Sequence, residues 1–227
     1  MKIKLKSDFL DYYDNWFCGS WEKEDYLLDR RSITELSKID QFKLLKQANL
    51  KIPKNGYVND LLKDETIDKI VVYLNLFKHR GEDKLLCDKK DALKYYPYMH
   101  ASEYIESPIK EFRKSYRYLC IGNSVFKLYY NAKGGNGWQS NTEFTTVDIC
   151  LTDYLDNFRG EYYPYLGYFK DYPLIAIDYI LDKEYNEVFI DFNTAPQIKG
   201  TPIEDCVKSK EVHSKLEKYI EENINLP

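Results

Sequence analysis

The stretch Leu174 to Asn193, LIAIDYILDKEYNEVFIDFN, constrains the chain more than any other. Two apolar runs rich in Ile, Val and Phe flank Asp182 to Asn186, a polar segment long enough to turn the chain, so the pattern predicts an antiparallel hairpin. Side chains two apart on a strand share a face, which places Asp191 and Asn193 together. Asp178 falls at the matching depth on the first strand. Two carboxylates and an amide oxygen at the end of a buried hairpin form a hard, oxygen-only donor set, better suited to Mg²⁺ than to zinc. A strand end closed by a satisfied turn would carry the same D-x-N. The TAPQIKG that follows breaks the strand abruptly after the polar pair and favours a reaction centre.

The rest of the composition narrows the class. With 227 residues, 44% hydrophobic and 31% charged, the chain can bury one substantial core or two small ones sharing an interface. A net charge of −4 provides no footprint for nonspecific nucleic-acid binding. Five cysteines, odd in number and without a C-x-x-C pair, fit a reduced, cytoplasmic setting better than a disulfide framework or a zinc site. His79, His100 and His213 lack metal-ligand spacing, and no run is long enough to span a membrane. The 22 tyrosines reflect compositional bias and carry no functional inference.

Ahead of the hairpin, Ser32 and Glu35 form an S-x-x-E capping box, and Leu36, Ile39, Leu44, Leu45 and Ala48 make an apolar stripe, so a helix is expected from Ser32 to about Asn49. Lys38 lies in its first turns, where the helix dipole disfavours a cation, and a solvated lysine is the local reading. Strands are expected at Lys69–Phe77 and His100–Ser107, the latter at an edge or between lobes, with a helix at Lys89–Tyr95. YRYLCIG and SVFKLYY form a further hairpin. Thr145 to Phe158 reads as helical, and Ile203 to Ile224 as a closing amphipathic helix. The Gly-rich NAKGGNGWQSN matches no phosphate-cradling fingerprint.

The order of these blocks resembles the ATP-grasp superfamily, and more narrowly its amino-acid and peptide ligase branch, similar to ligases that add glutamate to protein C-termini and those that macrocyclise ribosomal peptides. The resemblance runs from about Ser32 to the C-terminus. It implies an α+β fold of two lobes with a nucleotide between them: an irregular segment 1–31, a small lobe 32–106 and a large lobe 107–227. In SKIDQFKLLKQANLKIP it makes Lys38 a contact of ATP phosphate. In SEYIES it assigns Glu103, Tyr104 and Ile105 to adenine, with Glu106 as a ribose candidate. Arg117 in YRYLCIG matches an arginine that opens a central strand, and its spacing to Ser140 and Asn141 also fits. Asp178, Asp191 and Asn193 become the ligands of Mg²⁺, with Mn²⁺ as an acceptable substitute; Asp191 stands where glutamate is usual.

The implied activity is an ATP-dependent carboxylate–amine ligation on an amino acid or a peptide, through an acyl phosphate, with no nucleic-acid or membrane partner. Arg117 and Asn141 would serve the reacting groups, although a structural ion pair competes as the reading of Arg117. Two departures stand out. Leu74 occupies the position of a second phosphate lysine, for which Lys78 or Lys84 could substitute from the neighbouring loop. That loop, KHRGEDK, keeps a single glycine, Gly81, where several are usual. These departures support a rival, a nucleotide-binding protein with weakened transfer; a kinase of the same fold is a third reading.

Overall fold

The computed structural model describes residues 36–77, 83–108, 114–121, 124–132, 138, 145–149, 164–169, 172, 174–193, 218 and 222. Helix α1 (Lys38–Gln47) is followed by β1 (Asn55–Tyr57), α2 (Val58–Leu61), β2 (Lys69–Tyr73), β3 (Lys84–Asp88), α3 (Lys89–Tyr95) and β4 (His100–Glu103). Then come β5 (Lys114–Ile121), β6 (Ser124–Ala132), β7 (Thr145–Ile149), α4 (Pro164–Gly167), β8 (Leu174–Leu181) and β9 (Glu187–Asn193). The strands form two antiparallel sheets, a four-stranded one ordered β1-β4-β2-β3 and a five-stranded one ordered β7-β6-β5-β8-β9. The class is α+β.

Several elements depart from expectation for local reasons. Helix α1 begins at Lys38, not Ser32. Leu36 and Ser37 are non-helical, and Ser37 is the cap, its Oγ accepting from the Asp40 amide at 3.2 Å. Ser32 and Glu35 lie outside the described residues. The helix closes at Asn49, whose φ of 59° is a left-handed conformation that asparagine tolerates. β2 stops at Tyr73, four residues short of Phe77, and β4 stops at Glu103. β4 is an interior strand, hydrogen-bonded to both β1 and β2. Thr145–Ile149 is a strand paired with β6, where a helix was expected; its TTVDI sequence has the β-branched density of a strand. Of the expected C-terminal helix, Lys218 and Glu222 are described and are helical.

Each sheet has its own core. Val58, Leu61, Ile67, Ile70, Val72, Ala92 and Ala101 fill the smaller. The larger gathers Tyr118, Cys120, Phe169, Ile175, Ile177, Tyr179, Phe189 and Phe192 from the five-stranded sheet together with Phe42 and Leu45 of α1 and Tyr73 of β2. α1 therefore packs on the larger sheet, and its fully buried Phe42 and Leu45 contribute roughly 1.5–3 kcal/mol each. Its stripe differs from the expected one: Lys38 and Gln41 are buried, and Ile39 is exposed. No described helix is long and apolar enough to cross a membrane.

Candidate functional site

The hairpin β8–β9 forms as anticipated, with Asp178 directly opposite Asp191. Its turn is held by Asp182, whose Oδ1 accepts from the amides of Glu184 and Asn186 at 2.9 Å each, while Lys51 Nζ donates to Oδ2 at 2.6 Å. The register then contains a feature that alternation alone did not reveal. Asp178 pairs with Asp191 but Tyr179 with Phe189, so Ile190 is an extra residue on β9. Such a bulge leaves the inserted residue unpaired and re-aims its neighbours. Beyond it burial alternates, with Phe192 inside and Asp191 and Asn193 half-buried on the other face.

The bulge places a carbonyl and a carboxylate where the N-terminus of α1 arrives. Lys38 is only 4% exposed, and its Nζ donates to the Asp191 carboxylate, to Ile190 O at 2.6 Å and to Gln41 Oε1 at 3.1 Å. The rings of Phe42 and Tyr73 lie 5.3 and 5.9 Å from the same nitrogen. Burial opposes the charge, but the Asp191 carboxylate outweighs it with help from Tyr73 and Asp178, and the lysine pKa is raised. Lys38 is thus no solvated lysine. Its misfit with the helix dipole is offset by a carboxylate from 153 positions along the chain.

Arg117 on β5 lies directly opposite Asp178 on β8. Its Nε donates to Oδ1 at 2.6 Å and Nη2 to Oδ2 at 2.8 Å, a two-pronged pair with both residues below 10% exposure. The ion-pair reading of Arg117 is therefore realised. Four groups gather in one patch in the order Arg117, Asp178, Asp191, Lys38. Like charges on adjacent strands repel unless cations neutralise them, and here the chain's own two cations do so.

The donor chemistry of Asp178, Asp191 and Asn193 fits a hard divalent cation: three oxygen-bearing side chains on one sheet face, two of them cross-strand partners. Among the described residues no group of three His, Cys, Asp or Glu forms a metal cluster. A metal here would share carboxylates that already hold Arg117 and Lys38.

The other expected contacts are more dispersed. Glu103 and Tyr104 leave β4 with their amides donating to Lys54 O at 2.7 Å and Lys69 O at 3.0 Å. Ile105 is half-buried, and the exposed Glu106 pairs with Lys183 at 2.7 Å. Leu74 is 40% exposed and lines an open cavity of about 350 Å³ with Ile39, Tyr57, Leu76 and His100. Among the described residues His100 Nδ1 is buried without a hydrogen-bond partner, and burial followed by repulsion from Lys38 lowers its pKa. Lys78, Gly81, Ser140 and Asn141 lie outside the described residues.

No family model and no curated protein sequence matches the chain. Solved structures do. A Chryseobacterium gregarium RiPP-associated ATP-grasp ligase, in complex with ADP and a leader and core peptide, is 17% identical with a TM-score of 0.50, the match covering 81% of this chain and 58% of that one. The ATP-grasp ligase PsnB, complexed with a phosphomimetic variant of its minimal precursor, Mg and ADP, is 12% identical with a TM-score of 0.55, covering 84% and 61%. The purK N5-carboxyaminoimidazole ribonucleotide synthetase, as its ADP complex, is 11% identical with a TM-score of 0.53, covering 86% and 53%. The protein has the ATP-grasp fold. It spans between 53% and 61% of the length of these three chains.

Proposed function

We propose that the protein is an ATP- and Mg-dependent carboxylate–amine ligase acting on an amino-acid or peptide substrate. The observation that carries this reading is the four-charge patch: on an ATP-grasp fold, helix α1 and three neighbouring strands deliver Lys38, Asp191, Asp178 and Arg117 to one place. Two of the similar structures are peptide-bound ligases, which supports a peptide as one substrate.

Each residue meets a physical demand of such a reaction. Asp178, Asp191 and Asn193 would hold Mg²⁺, which when bound neutralises phosphate charge. Lys38 supplies a compact cation that can turn from Asp191 to a phosphate oxygen. Arg117, whose fork is aimed at Asp178, would hold an oxygen of the transferring phosphoryl group. In the overall reaction the substrate carboxylate attacks the terminal phosphorus and ADP leaves. The amine then attacks the acyl carbon and phosphate leaves, so no enzyme nucleophile is required. Glu103, Tyr104, Ile105 and Glu106 would bind adenosine, Lys78 would complete the phosphate side, and Asn141 would serve the reacting groups beside Arg117.

One observation favours the rival, a nucleotide-binding protein without efficient transfer: both carboxylates are already neutralised from within the chain. Incubation with Mg-ATP and pools of amino acids and peptides separates the readings through ADP, phosphate and product mass. Amide product with free phosphate is the expected result. A phosphorylated product would indicate a kinase, and binding without ADP release would favour the rival.

A further inference from the structure

Tyr57, His100, Tyr73 and Lys84 are successive cross-strand partners, one transverse row over all four strands of the smaller sheet. Partners across a sheet share a face, so the row brings two tyrosine rings to His100, Tyr57 at 6.2 Å and Tyr73 at 6.0 Å between centroids. The first three members line the open cavity of about 350 Å³. Nine large apolar residues are exposed among those described, and five of them, Ile39, Tyr57, Leu74, Phe77 and Tyr98, line this cavity as well. Scattered singly such residues need no explanation, whereas a concave cluster of them marks a binding site.

The chemistry of the lining narrows the occupant. None of the ten described residues around the cavity is charged; His100 itself is kept neutral, because burial and then repulsion from Lys38 lower its pKa. Among the described residues the lining therefore offers no ion-pair partner to a phosphate, nor to the ammonium and carboxylate of a free amino acid. It does hold one unmet polar group. His100 is 7% exposed, and its Nδ1 has no hydrogen-bond partner among the described residues. A neutral imidazole presents one donor and one acceptor; a phenol hydroxyl does both and satisfies either tautomer, whereas an indole N–H only donates and a phenyl ring does neither. We propose that the cavity receives a tyrosine side chain of the peptide substrate, its ring against Tyr57, Phe77 and Tyr98 and its hydroxyl on the His100 imidazole. This rests on the peptide-ligase reading above and names a side chain that such an enzyme selects. The mouth, where Tyr98 is 82% and Tyr57 55% exposed, leaves the flanking peptide backbone in solvent. Adenine, in the same reading, belongs at the other end of β4 from Glu103 onward, roughly 10 Å away at about 3.3 Å per residue.

The experiment uses the full chain as wild type, His100→Phe and Tyr98→Ala. Binding of N-acetyltyrosinamide, N-acetylphenylalaninamide and free tyrosine is measured by ligand-observed NMR, alongside thermal unfolding. Loss of one neutral hydrogen bond should make the phenylalanine amide bind about 2- to 10-fold more weakly than the tyrosine amide, and free tyrosine should also bind more weakly than its amide. His100→Phe should abolish the difference between the two amides. Tyr98→Ala, at a mostly solvated side chain, should weaken both amides alike without changing thermal unfolding, and it decides the test together with the wild-type preference if His100→Phe does not fold. Equal binding of the two amides to wild type, or an undiminished preference in His100→Phe, would overturn the proposal. Displacement of the tyrosine amide by Mg-ATP would also overturn it, by making the cavity part of the nucleotide site. Tighter binding of free tyrosine would assign the cavity to an amino acid, and self-association of wild type that Tyr98→Ala abolishes would assign it to a second copy; either result sinks the peptide. Ligation is read separately, as ADP release with tyrosine-containing peptides. Selective amide binding without any ADP release would uphold the tyrosine site and overturn the ligase reading.

Discussion

Replacing Arg117 by Met tests the charge patch most directly. The change keeps an unbranched, largely apolar side chain in a site where Arg117 and Asp178 are 9% and 8% exposed, and it removes both charged hydrogen bonds, at 2.6 and 2.8 Å. Asp178 is then left as a buried carboxylate facing Asp191, whose own charge is already shared with Lys38. Breaking a buried pair from one side costs about 3–5 kcal/mol, a large part of a total stability of roughly 5–15 kcal/mol. For a chain of this length that is a fall of roughly 6–20 °C in Tm. If Asp178, Asp191 and Asn193 are metal ligands, excess Mg²⁺ occupies the vacated place, and saturation at about 100 times Kd returns about 2.7 kcal/mol. The assay is urea unfolding followed by intrinsic fluorescence, in MgCl₂ and in EDTA. The double variant Arg117→Met with Asp178→Asn, which removes both charges, should recover most of the loss. A single variant within about 0.5 kcal/mol of wild type would refute the buried-pair argument. A variant no more stable in MgCl₂ than in EDTA would refute the metal assignment.

Three further outcomes are expected. Ser37→Ala removes the cap that starts α1 immediately before Lys38 and should cost about 1 kcal/mol, measurable by chemical denaturation. Asp182 has a pKa lowered to about 2, first by Lys51 and then by hydrogen bonds from Asn186 and Glu184. A depressed carboxylate stabilises the fold above its unfolded pKa, so its contribution should fade as pH drops from about 4 to about 2, and Asp182→Asn should flatten that part of the acid-unfolding curve. Lys84 has the opposite linkage. Among Lys38, Tyr73, Asp178 and Asp191 its folded pKa lies below the free value, so the unfolded chain binds more protons between about pH 8 and 10. Wild-type stability should therefore gain on Lys84→Met across that window in thermal melts, and parallel curves would contradict the lowered pKa.

The legible parts of the sequence were those where period and chemistry agreed. Asp178 and Asp191 could be paired in advance because two apolar runs flank a turn of defined length, and α3 was bounded correctly at Lys89–Tyr95. The start of α1 was misplaced because two serines five residues apart each have an acidic residue three positions on, and only the folded chain shows that Ser37 is the cap. Thr145–Ile149 was misread because Leu151 and Leu155 extend a helical spacing beyond a short β-branched run. The bulge at Ile190 adds one residue without disturbing composition, so nothing local announces it. The link between Lys84 and Tyr73 depends on strand register, a long-range property.

Lys38 is joined to its surroundings twice. Its side chain reaches Asp191, and its amide donates to Leu76 O at 2.8 Å, in the segment that follows β2. One residue thus rivets the outlet of the smaller sheet to the bulged strand of the larger. A ligand that draws the ammonium away from Asp191 loosens one half of that rivet while the amide half still holds. Leu74 to Phe77 are then coupled mechanically to the charge state of the patch, and the Lys38 amide is a natural hydrogen-exchange reporter of its occupancy.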